Sequence, residues 1–397
     1  MPSRRTGDRL KRRYLLLLLA VMLPVAATGS SPAADAPAPL PSAVARAPIA
    51  LLVDLSAGQT LYARDAERRF LPASMTKAMS TLIAFDLIAA GKLDENAVVT
   101  VRPETAARWA GKGTTLNLRA NERVAVRDLL RGMTTVSAND AAVALAEAAL
   151  GSTDAWLAAM NSRARALGMN GSHFATPNGF PDHGHTYVTA RDLVRLAEAL
   201  ITDHPALYRA YVGQQAMDWR GQRMASHDPF AGVLPGADGI KTGHTFEAGF
   251  NFLGSAARGG RRLVLVVAGV DTEPARAQAA KALAEWGFTA WDSRAWLQPG
   301  MVLGRVRVQQ GAARSLPVTV PRGYALTFAR GAPPQVAARI VYDGPVRAPV
   351  AKGTEVARLE VRIAGQVPYN LPLVAKQAVE RAGPIDRLTN GLLGLFE

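Results

Sequence analysis

The chain of 397 residues contains no cysteine, which excludes disulfides, thiolate nucleophiles and zinc–thiolate sites. Lysine is also scarce, because only eight of the 46 basic residues are lysine and the rest are arginine. Arginine cannot lose its proton in a protein, whereas a desolvated lysine can. Among these 46 residues, only a lysine can therefore act as a general base.

The sequence also lacks an apolar run long enough for a comfortable bilayer span. The run Tyr14 to Leu23 follows six basic residues within the first thirteen, is ended by Pro24, and leads into small residues through Ala36. This order of basic, apolar and small residues is typical of a cleaved export signal. Residues 1–36 are predicted to be a signal peptide and leader outside the fold, with cleavage after Ala27 or Ala36, and the mature chain to be periplasmic.

The length of the chain predicts about two folded domains. In residues 37–295, strand-like runs at both ends enclose a helical middle, which predicts one sheet of sequence-distant strands covered by helices, an α/β fold. In residues 299–380, short apolar runs separated by Gly and Pro predict a small all-β domain. The predicted helices are 73–90, 126–132, 140–150, 154–167, 190–201 and 275–288, and the predicted strands are 49–53, 60–63, 250–256, 263–270, 302–308, 316–320, 337–342 and 355–363, with a further strand from 240.

The positive charge is concentrated outside the first domain. Residues 301–397 contain thirteen basic and six acidic residues, a net charge of +7. Residues 1–13 contain six basic residues and one acidic residue, a net charge of +5. The rest of the chain therefore carries only +2 of the total of +14. An exported basic chain meets anionic lipid and cell-wall polymer, so no nucleic-acid partner is expected.

The C-terminal tail, residues 383–397, would place several apolar side chains on one face if it were helical. This pattern predicts peripheral contact with the anionic outer face of the cytoplasmic membrane. The alternative is a terminal helix packed on its own domain, and Gly391 and Gly394 lower the helix propensity. The apolar residues are Ile385, Leu388, Leu392, Leu395 and Phe396.

Ser74 and Lys77 form an S-x-x-K motif at the start of a predicted helix. Residues three apart share a helix face, so the lysine amine can lie against the serine hydroxyl. The helix N-terminus also offers unpaired N–H groups near that oxygen. Chance supplies such a spacing about once in a chain of this length, so the pair alone is a weak indication of a nucleophile and its base.

Two further motifs follow in order, Ser137-Ala138-Asn139 and Lys241-Thr242-Gly243. Each is commonplace alone, as a helix cap or as a turn after a strand. The ordered set S-x-x-K, S-x-N and K-T-G resembles the signature of the penicillin-recognising serine acyltransferases.

The flanking residues resemble those of the D-alanyl-D-alanine carboxypeptidases, the low-molecular-mass penicillin-binding proteins. The resemblance runs from about Pro48 to Ser293. It implies an α/β sandwich of the β-lactamase/transpeptidase type and the removal of the terminal D-alanine from peptidoglycan stem peptides, with acylation by penicillins. The stretches that carry it are 70–77, 176–180, 238–245 and 248–251.

The same resemblance implies a role for each motif residue. Ser74 would be the nucleophile, Lys77 the base, and Ser137 a proton shuttle toward the leaving nitrogen. Lys241 would lower the pKa of Lys77 and bind the substrate carboxylate. Asn139 would fix Lys77 and hold the peptide, Thr242 would bond the carboxylate, and the backbone N–H groups of Ser74 and His244 would form the oxyanion hole.

Other candidate residues have no matching motif. In some relatives an arginine helps to bind the substrate carboxylate, and Arg276 is its nearest counterpart here. The alternative interpretation is that Arg276 is a solvated residue in the first turn of a helix. Asp182, His183 and His185 lie in a Gly/Pro-rich loop without a further ligand at metal spacing, so neither a metal nor a cofactor is expected.

Two other functions compete with the carboxypeptidase. A serine β-lactamase would share the three motifs, but the E-x-x-L-N motif of class A enzymes is absent, and the nearest string, Glu147 to Gly151, ends in the wrong residue. A non-catalytic wall-binding scaffold would not need Ser74, Lys77, Ser137 and Lys241 together.

Overall fold

The computed structural model describes residues 13–15, 37–331 and 334–384, and these form two compact units. One unit comprises Pro39–Leu55 and Thr60–Thr289. The other contains Ser56–Gln59 and the described residues from Ala290 onward, together with the short strand β1 (Arg13–Leu15). Within the described residues, no helix is both long and apolar enough to cross a membrane. The tail 385–397 and most of the export segment lie outside the described residues.

A five-stranded sheet organises the first unit, with its neighbours in the order β3-β2-β10-β9-β8. Two of its strands come from the start of the unit and three from its end, as the sequence predicted. The ladders that join β2, β10, β9 and β8 are antiparallel. The strands are β2 (Ile49–Asp54), β3 (Gln59–Arg64), β8 (Ala237–Thr245), β9 (Gly249–Arg258) and β10 (Arg261–Val270), and the shorter hairpin strands are β4 (Val98–Thr100), β5 (Arg123–Ala125), β6 (Ala216–Trp219) and β7 (Gln222–Ala225).

Helices fill the middle of the unit and cover the sheet. Helix α1 follows a 3-10 turn, Ala73–Thr76, and is apolar around most of its circumference, which is the pattern of a buried helix. Helix α8 packs on β9 and β10, and α6 packs on β2 and β10. The helices are α1 (Lys77–Ala89), α2 (Pro103–Trp109), α3 (Val126–Thr135), α4 (Asn139–Leu150), α5 (Thr153–Ala166), α6 (Ala190–Asp203), α7 (Pro205–Tyr211) and α8 (Glu273–Thr289), with a further 3-10 turn at Ser42–Arg46.

The second unit is all β, as predicted from its short apolar runs. Its larger sheet has the order β1-β15-β17-β18-β13-β12-β16 and packs a core that includes Val306, Val318 and Leu373. The strands are β11 (Trp291–Leu297), β12 (Val302–Gln309), β13 (Ser315–Thr319), β14 (Tyr324–Ala329), β15 (Val336–Tyr342), β16 (Val346–Arg347), β17 (Glu355–Ile363) and β18 (Tyr369–Ala375). The first domain was expected to end at residue 295, but the units divide at Ala290, because β11 pairs with β14.

A buried ion pair ties two strands of the first sheet together. Arg261, at the start of β10, donates through Nε to Oδ2 of Asp54 at the end of β2. The Asp54 side chain is 0% exposed and that of Arg261 is 9% exposed. Removing one partner of such a pair leaves an uncompensated buried charge.

Substitution Asp54→Ala is therefore expected to lower the free energy of unfolding by about 3–5 kcal/mol. The matched control is Asp218→Ala, which breaks an ion pair with Arg223 whose side chains are 75% and 73% exposed. The control should cost less than about 1 kcal/mol, because exposed pairs are screened by water. Urea denaturation of both variants measures the difference, and equal losses would contradict this account.

Candidate active site

A cleft of about 440 Å³ opens in the first unit where several parts of the chain meet. They include the 3-10 turn before α1, the start of α4, the C-terminal half of β8 and the start of α8. The lining residues are Ser74, Gly113, Thr114, Ser137, Asn139, Gly179, Phe180, Pro181, His227, Thr242, Gly243, His244, Thr245, Phe250, Glu273 and Arg276. Five of the seven predicted site residues, Ser74, Ser137, Asn139, Thr242 and His244, line this cleft, and the two lysines, Lys77 and Lys241, are buried next to residues that line it.

Ser74 and Lys77 are in direct contact, as their spacing predicted. Lys77 Nζ lies 2.8 Å from Ser74 Oγ. Ser74 lies in the 3-10 turn and Lys77 begins α1, so one turn of helix spans the pair. The arrangement joins a cleft-facing hydroxyl to an amine that has no contact with bulk water.

Lys77 is held by two further acceptors. Its Nζ donates to Oδ1 of Asn139 at 2.8 Å and to the backbone oxygen of Asn178 at 2.7 Å. The side chain is completely buried, and burial holds the pKa of the Lys77 amine well below its ordinary value. The charge of Lys241 lowers this pKa further, while Asp140 opposes the shift. Burial and the charge of Lys241 therefore both disfavour the ammonium form of Lys77.

Ser137 and Asn139 flank the start of α4. Ser137 has a φ of +66°, a left-handed conformation that a non-glycine residue seldom adopts, and its residue is 5% exposed. Asn139 donates through Nδ2 to the carbonyl of Lys112 at 3.0 Å, and its backbone N–H donates to Thr114. The asparagine amide is therefore oriented with its oxygen toward Lys77.

Close backbone approaches assemble the cleft at two glycines. A Cβ on Gly243 would lie 2.2 Å from the carbonyl oxygen of Pro72, and one on Gly179 would lie 1.9 Å from that of Ala73. Real Cβ atoms do not approach an oxygen so closely. Gly243 thus lets β8 lie against the Ser74 turn, and Gly179 does the same for the loop that carries Asn178.

Lys241 lies in the buried centre of β8, with Thr242 next to it. Burial lowers the pKa of Lys241 to about 7, and Arg276 also lowers it, while Asp228 acts in the opposite direction. His244 lies one residue beyond the K-T-G motif and stacks on Phe250, with ring centroids 3.9 Å apart. Strand β8 therefore brings Thr242 and His244 to the cleft wall, Phe250 of β9 stacks on His244, and Lys241 is buried next to Thr242.

Arg276 extends this wall from α8. Its side chain is 4% exposed, and Nη2 donates to Glu273 Oε1 at 2.9 Å. His227 lines the cleft nearby, and burial and the charge of Lys241 lower the pKa of its imidazole. Burial raises the pKa of the neighbouring Asp228 carboxyl to about 6.

Several residues of the site were missed from the sequence. Asn178 acts through its backbone oxygen, which no side-chain motif reveals, although it lies in a stretch that carried the family resemblance. Asp140 accepts N–H bonds from Leu116 and Leu118 at 2.9 and 3.0 Å. His227, Asp228 and Glu273 have no motif and become neighbours of Lys241 and Arg276 only in the fold.

The loop with Asp182, His183 and His185 is built differently from a metal site. Asp182 accepts bonds from the backbone and the hydroxyl of Thr186, at 3.2 and 2.5 Å. In the described parts of the chain, no group of three or more His, Asp or Glu residues is arranged to hold a metal ion.

Comparison with known proteins agrees with the geometry. Residues 34–272 match the family model of D-alanyl-D-alanine carboxypeptidase, and residues 291–381 match that of the penicillin-binding protein 5 C-terminal domain. The chain is 33% identical over 340 residues to D-alanyl-D-alanine carboxypeptidase DacA of Escherichia coli K12, which covers 83% of this chain and 82% of the relative.

Solved structures give the same result. Penicillin-binding protein 5 from Haemophilus influenzae superposes with a TM-score of 0.72 at 28% identity, over 87% of this chain and 99% of that chain. Penicillin-binding protein D2 from Listeria monocytogenes, in its ampicillin-bound form, superposes with a TM-score of 0.55 at 29% identity, over 62% and 98%.

A serine beside a buried lysine, on helices packed against an antiparallel sheet, is the arrangement of the penicillin-recognising serine hydrolases. Within that class, the chain belongs to the D-alanyl-D-alanine carboxypeptidase family, peptidase family S11. The predicted family, fold class and type of enzyme are confirmed.

Substitution Asn139→Asp should raise the pKa of Lys77. A carboxylate in place of the amide oxygen, 2.8 Å from Nζ, favours the ammonium form and should shift this pKa upward by about one to three units. NMR titration of protein labelled with ¹³C at lysine Cε measures the shift, and the eight lysines keep the spectrum simple.

The control is Asn139→Ala, which removes the same Nδ2 donor without adding a charge. It should not raise the pKa of Lys77, because the lysine loses an acceptor and stays buried. An Asn139→Asp variant whose Lys77 titrates as in the wild type would show that the two groups are not in contact.

Proposed function

We propose that this carboxypeptidase removes the terminal D-alanine from peptidoglycan stem pentapeptides through an ester on Ser74. One observation carries the assignment of the nucleophile. Ser74 Oγ is 2.8 Å from the amine of Lys77, which is buried and has a lowered pKa. A neutral amine at hydrogen-bond distance is what a serine needs to attack a carbonyl.

Acylation begins when Ser74 Oγ attacks the carbonyl carbon between the two D-alanines, while Lys77 takes the hydroxyl proton. The C–N bond then breaks, and the proton passes from Lys77 through Ser137 to the departing amine of D-alanine. Lys77 is neutral again at the end of this step. The positions of Ser137 in the cleft wall and of Lys77 beneath Ser74 support this path.

Deacylation reverses these roles with water. A water molecule attacks the ester carbonyl and gives its proton to Lys77, and the proton returns to Ser74 Oγ as the C–O bond breaks. The shortened peptide leaves with its new carboxylate. No cofactor is needed, because Lys77 both accepts and returns the proton.

The substrate is held by groups on the opposite wall. Lys241 supplies a positive charge for the terminal carboxylate, Thr242 donates its hydroxyl, and Arg276 adds a second cation from α8. Asn139 both fixes the amine of Lys77 and offers its amide to the peptide. The developing oxyanion binds the backbone N–H groups of Ser74 and His244, and loss of one such donor typically costs about a hundredfold to a thousandfold in rate.

Penicillins are expected to acylate Ser74 in the same way. The Listeria relative was solved with ampicillin bound, and its fold matches the first unit over 62% of this chain. A β-lactam carries a carboxylate next to a strained amide, so the same wall that binds the peptide can orient it.

Substitution Ser74→Ala should abolish both D-alanine release and covalent labelling, because among the described residues Ser74 alone has its hydroxyl within hydrogen-bond distance of Lys77 Nζ. The measurement uses a diacylated tripeptide ending in D-Ala-D-Ala, a labelled penicillin, and mass spectrometry of peptide and protein. Circular dichroism should show an unchanged fold.

Three outcomes separate the candidate functions in the wild-type protein. A carboxypeptidase releases D-alanine and keeps the penicillin label, a β-lactamase turns penicillin over rapidly, and a scaffold does neither. D-alanine release by Ser74→Ala at the wild-type rate would refute the nucleophile.

We also infer that the protein is exported and held at the outer face of the cytoplasmic membrane by its tail. The order of basic and apolar residues in 1–23 supports export, and the spacing of the apolar residues in 385–397, which would share one face of a helix, supports contact with the membrane. Deleting residues 384–397 should move the protein from the membrane to the soluble fraction, with activity on the tripeptide unchanged. Unchanged fractionation would rule out the tail as anchor.

A further inference from the structure

Arg276 is the second cation proposed above for the substrate carboxylate, yet its guanidinium already binds a carboxylate of the protein. Nη2 lies 2.9 Å from Oε1 of Glu273, one helical turn earlier on α8. Both residues line the same cleft as Ser74 and Thr242. A protein carboxylate therefore lies where a carboxylate of the substrate is expected.

The burial of the two partners differs sharply. The Arg276 side chain is 4% exposed and that of Glu273 is 61% exposed. Among the described residues, Arg276 Nε is buried without a hydrogen-bond partner. The arginine is thus fixed with donor capacity to spare, whereas the glutamate is a solvated group that can leave at low cost, because exposed pairs contribute little net stability.

The charge of Glu273 also affects the pKa values of neighbouring groups in the cleft. Its negative charge raises the pKa of the His227 imidazole, against the effects of burial, Lys241 and Arg276. Burial lowers the pKa of Arg276, and the charge and hydrogen bond of Glu273 oppose that shift. Asp228 adds a second negative charge next to Lys241. The wall that binds an anion therefore contains two cations whose charges are partly offset by two carboxylates.

We propose that Glu273 is a built-in competitor that occupies Arg276 in the free enzyme and lowers the affinity of the cleft for peptides ending in a carboxylate. This inference rests on the proposed role of Arg276 in binding that carboxylate. The substrate must displace Glu273 or bind beside its charge. The side chain therefore sets the specificity and the KM of the reaction without contacting the scissile bond.

The test is Glu273→Gln, which keeps an oxygen acceptor for Arg276 and removes only the charge. The KM for the D-Ala-D-Ala tripeptide should fall about two- to fivefold with kcat unchanged, because Glu273 is 61% exposed and water screens its charge. A gain of affinity is the opposite of what loss of a positioning contact produces. A raised KM would overturn the proposal.

Two controls separate the effect of the charge from other causes. Glu285→Gln removes the same charge from the same helix, where Glu285 pairs with Arg258 outside the cleft, and should leave KM unchanged. A tripeptide ending in D-alaninamide has no carboxylate, so its kcat/KM should not respond to Glu273→Gln. If Glu273→Gln improved kcat/KM for the D-alaninamide peptide as much as for the peptide with a free carboxylate, the proposal that Glu273 competes with the substrate would be wrong.

Salt supplies an independent measurement. The Debye length falls from roughly 30 Å at about 0.01 M to about 3 Å at about 1 M ionic strength. Because Glu273 is exposed, the difference in KM between the wild type and Glu273→Gln should shrink toward zero at high salt. A difference that persists in full would indicate a change of structure and sink the proposal.

Arg276→Gln separates this inference from the proposed function on which it rests. If Arg276 binds the substrate carboxylate, this variant raises KM, and adding Glu273→Gln to it no longer improves binding. An unchanged KM in Arg276→Gln would refute the carboxylate role of Arg276 and the competitor with it. A raised KM in Arg276→Gln without a gain in Glu273→Gln would refute the competitor alone.

Discussion

The rest of the site depends on the burial of one amine. Lys77 is 0% exposed, and its Nζ is held by Ser74 Oγ, Asn139 Oδ1 and the carbonyl of Asn178. An ammonium ion in this position would lose its hydration, and no carboxylate among the described residues contacts it directly to compensate for that loss. The protein therefore favours the neutral amine, and the low pKa that catalysis needs is a consequence of the packing of α1.

The two acceptors of Lys77 other than Ser74, Asn139 Oδ1 and the carbonyl of Asn178, come from segments that are distant in sequence, so the fold must bring them together with little tolerance. Gly179 and Gly243 make this possible, because each lets backbone approach the Ser74 turn more closely than any side chain would permit. The catalytic contacts are thus supported by backbone packing rather than by the motif side chains alone. Lys241 and Arg276, which are proposed to bind the substrate carboxylate, are also held in buried positions. Glu273, in contrast, is exposed at the surface.

Much of the architecture could be predicted from the spacing of apolar residues and from the positions of Gly and Pro. The amphipathic helices α3 and α6 and the pairing of β9 with β10 agree with the patterns within a few residues. Strand β11 was not predicted, because its burial lacks the alternation of a half-buried strand and its pairing with β14 is a tertiary choice. Strand β18 was missed because Pro372 interrupts its pattern.

The sequence by itself determined the class of chemistry, since scarce lysines in S-x-x-K and K-T-G motifs, with S-x-N between them, specify a serine acyltransferase. Local spacing was enough for the contact of Ser74 with Lys77, because residues three apart share a helix face. Only the tertiary structure decided what surrounds that contact. The contact of Lys77 with the carbonyl of Asn178, the burial that lowers the pKa of Lys77 and the position of Arg276 in the cleft depend on segments that are distant in sequence. Electric fields and desolvation depend on distances in space, and those are properties of the fold.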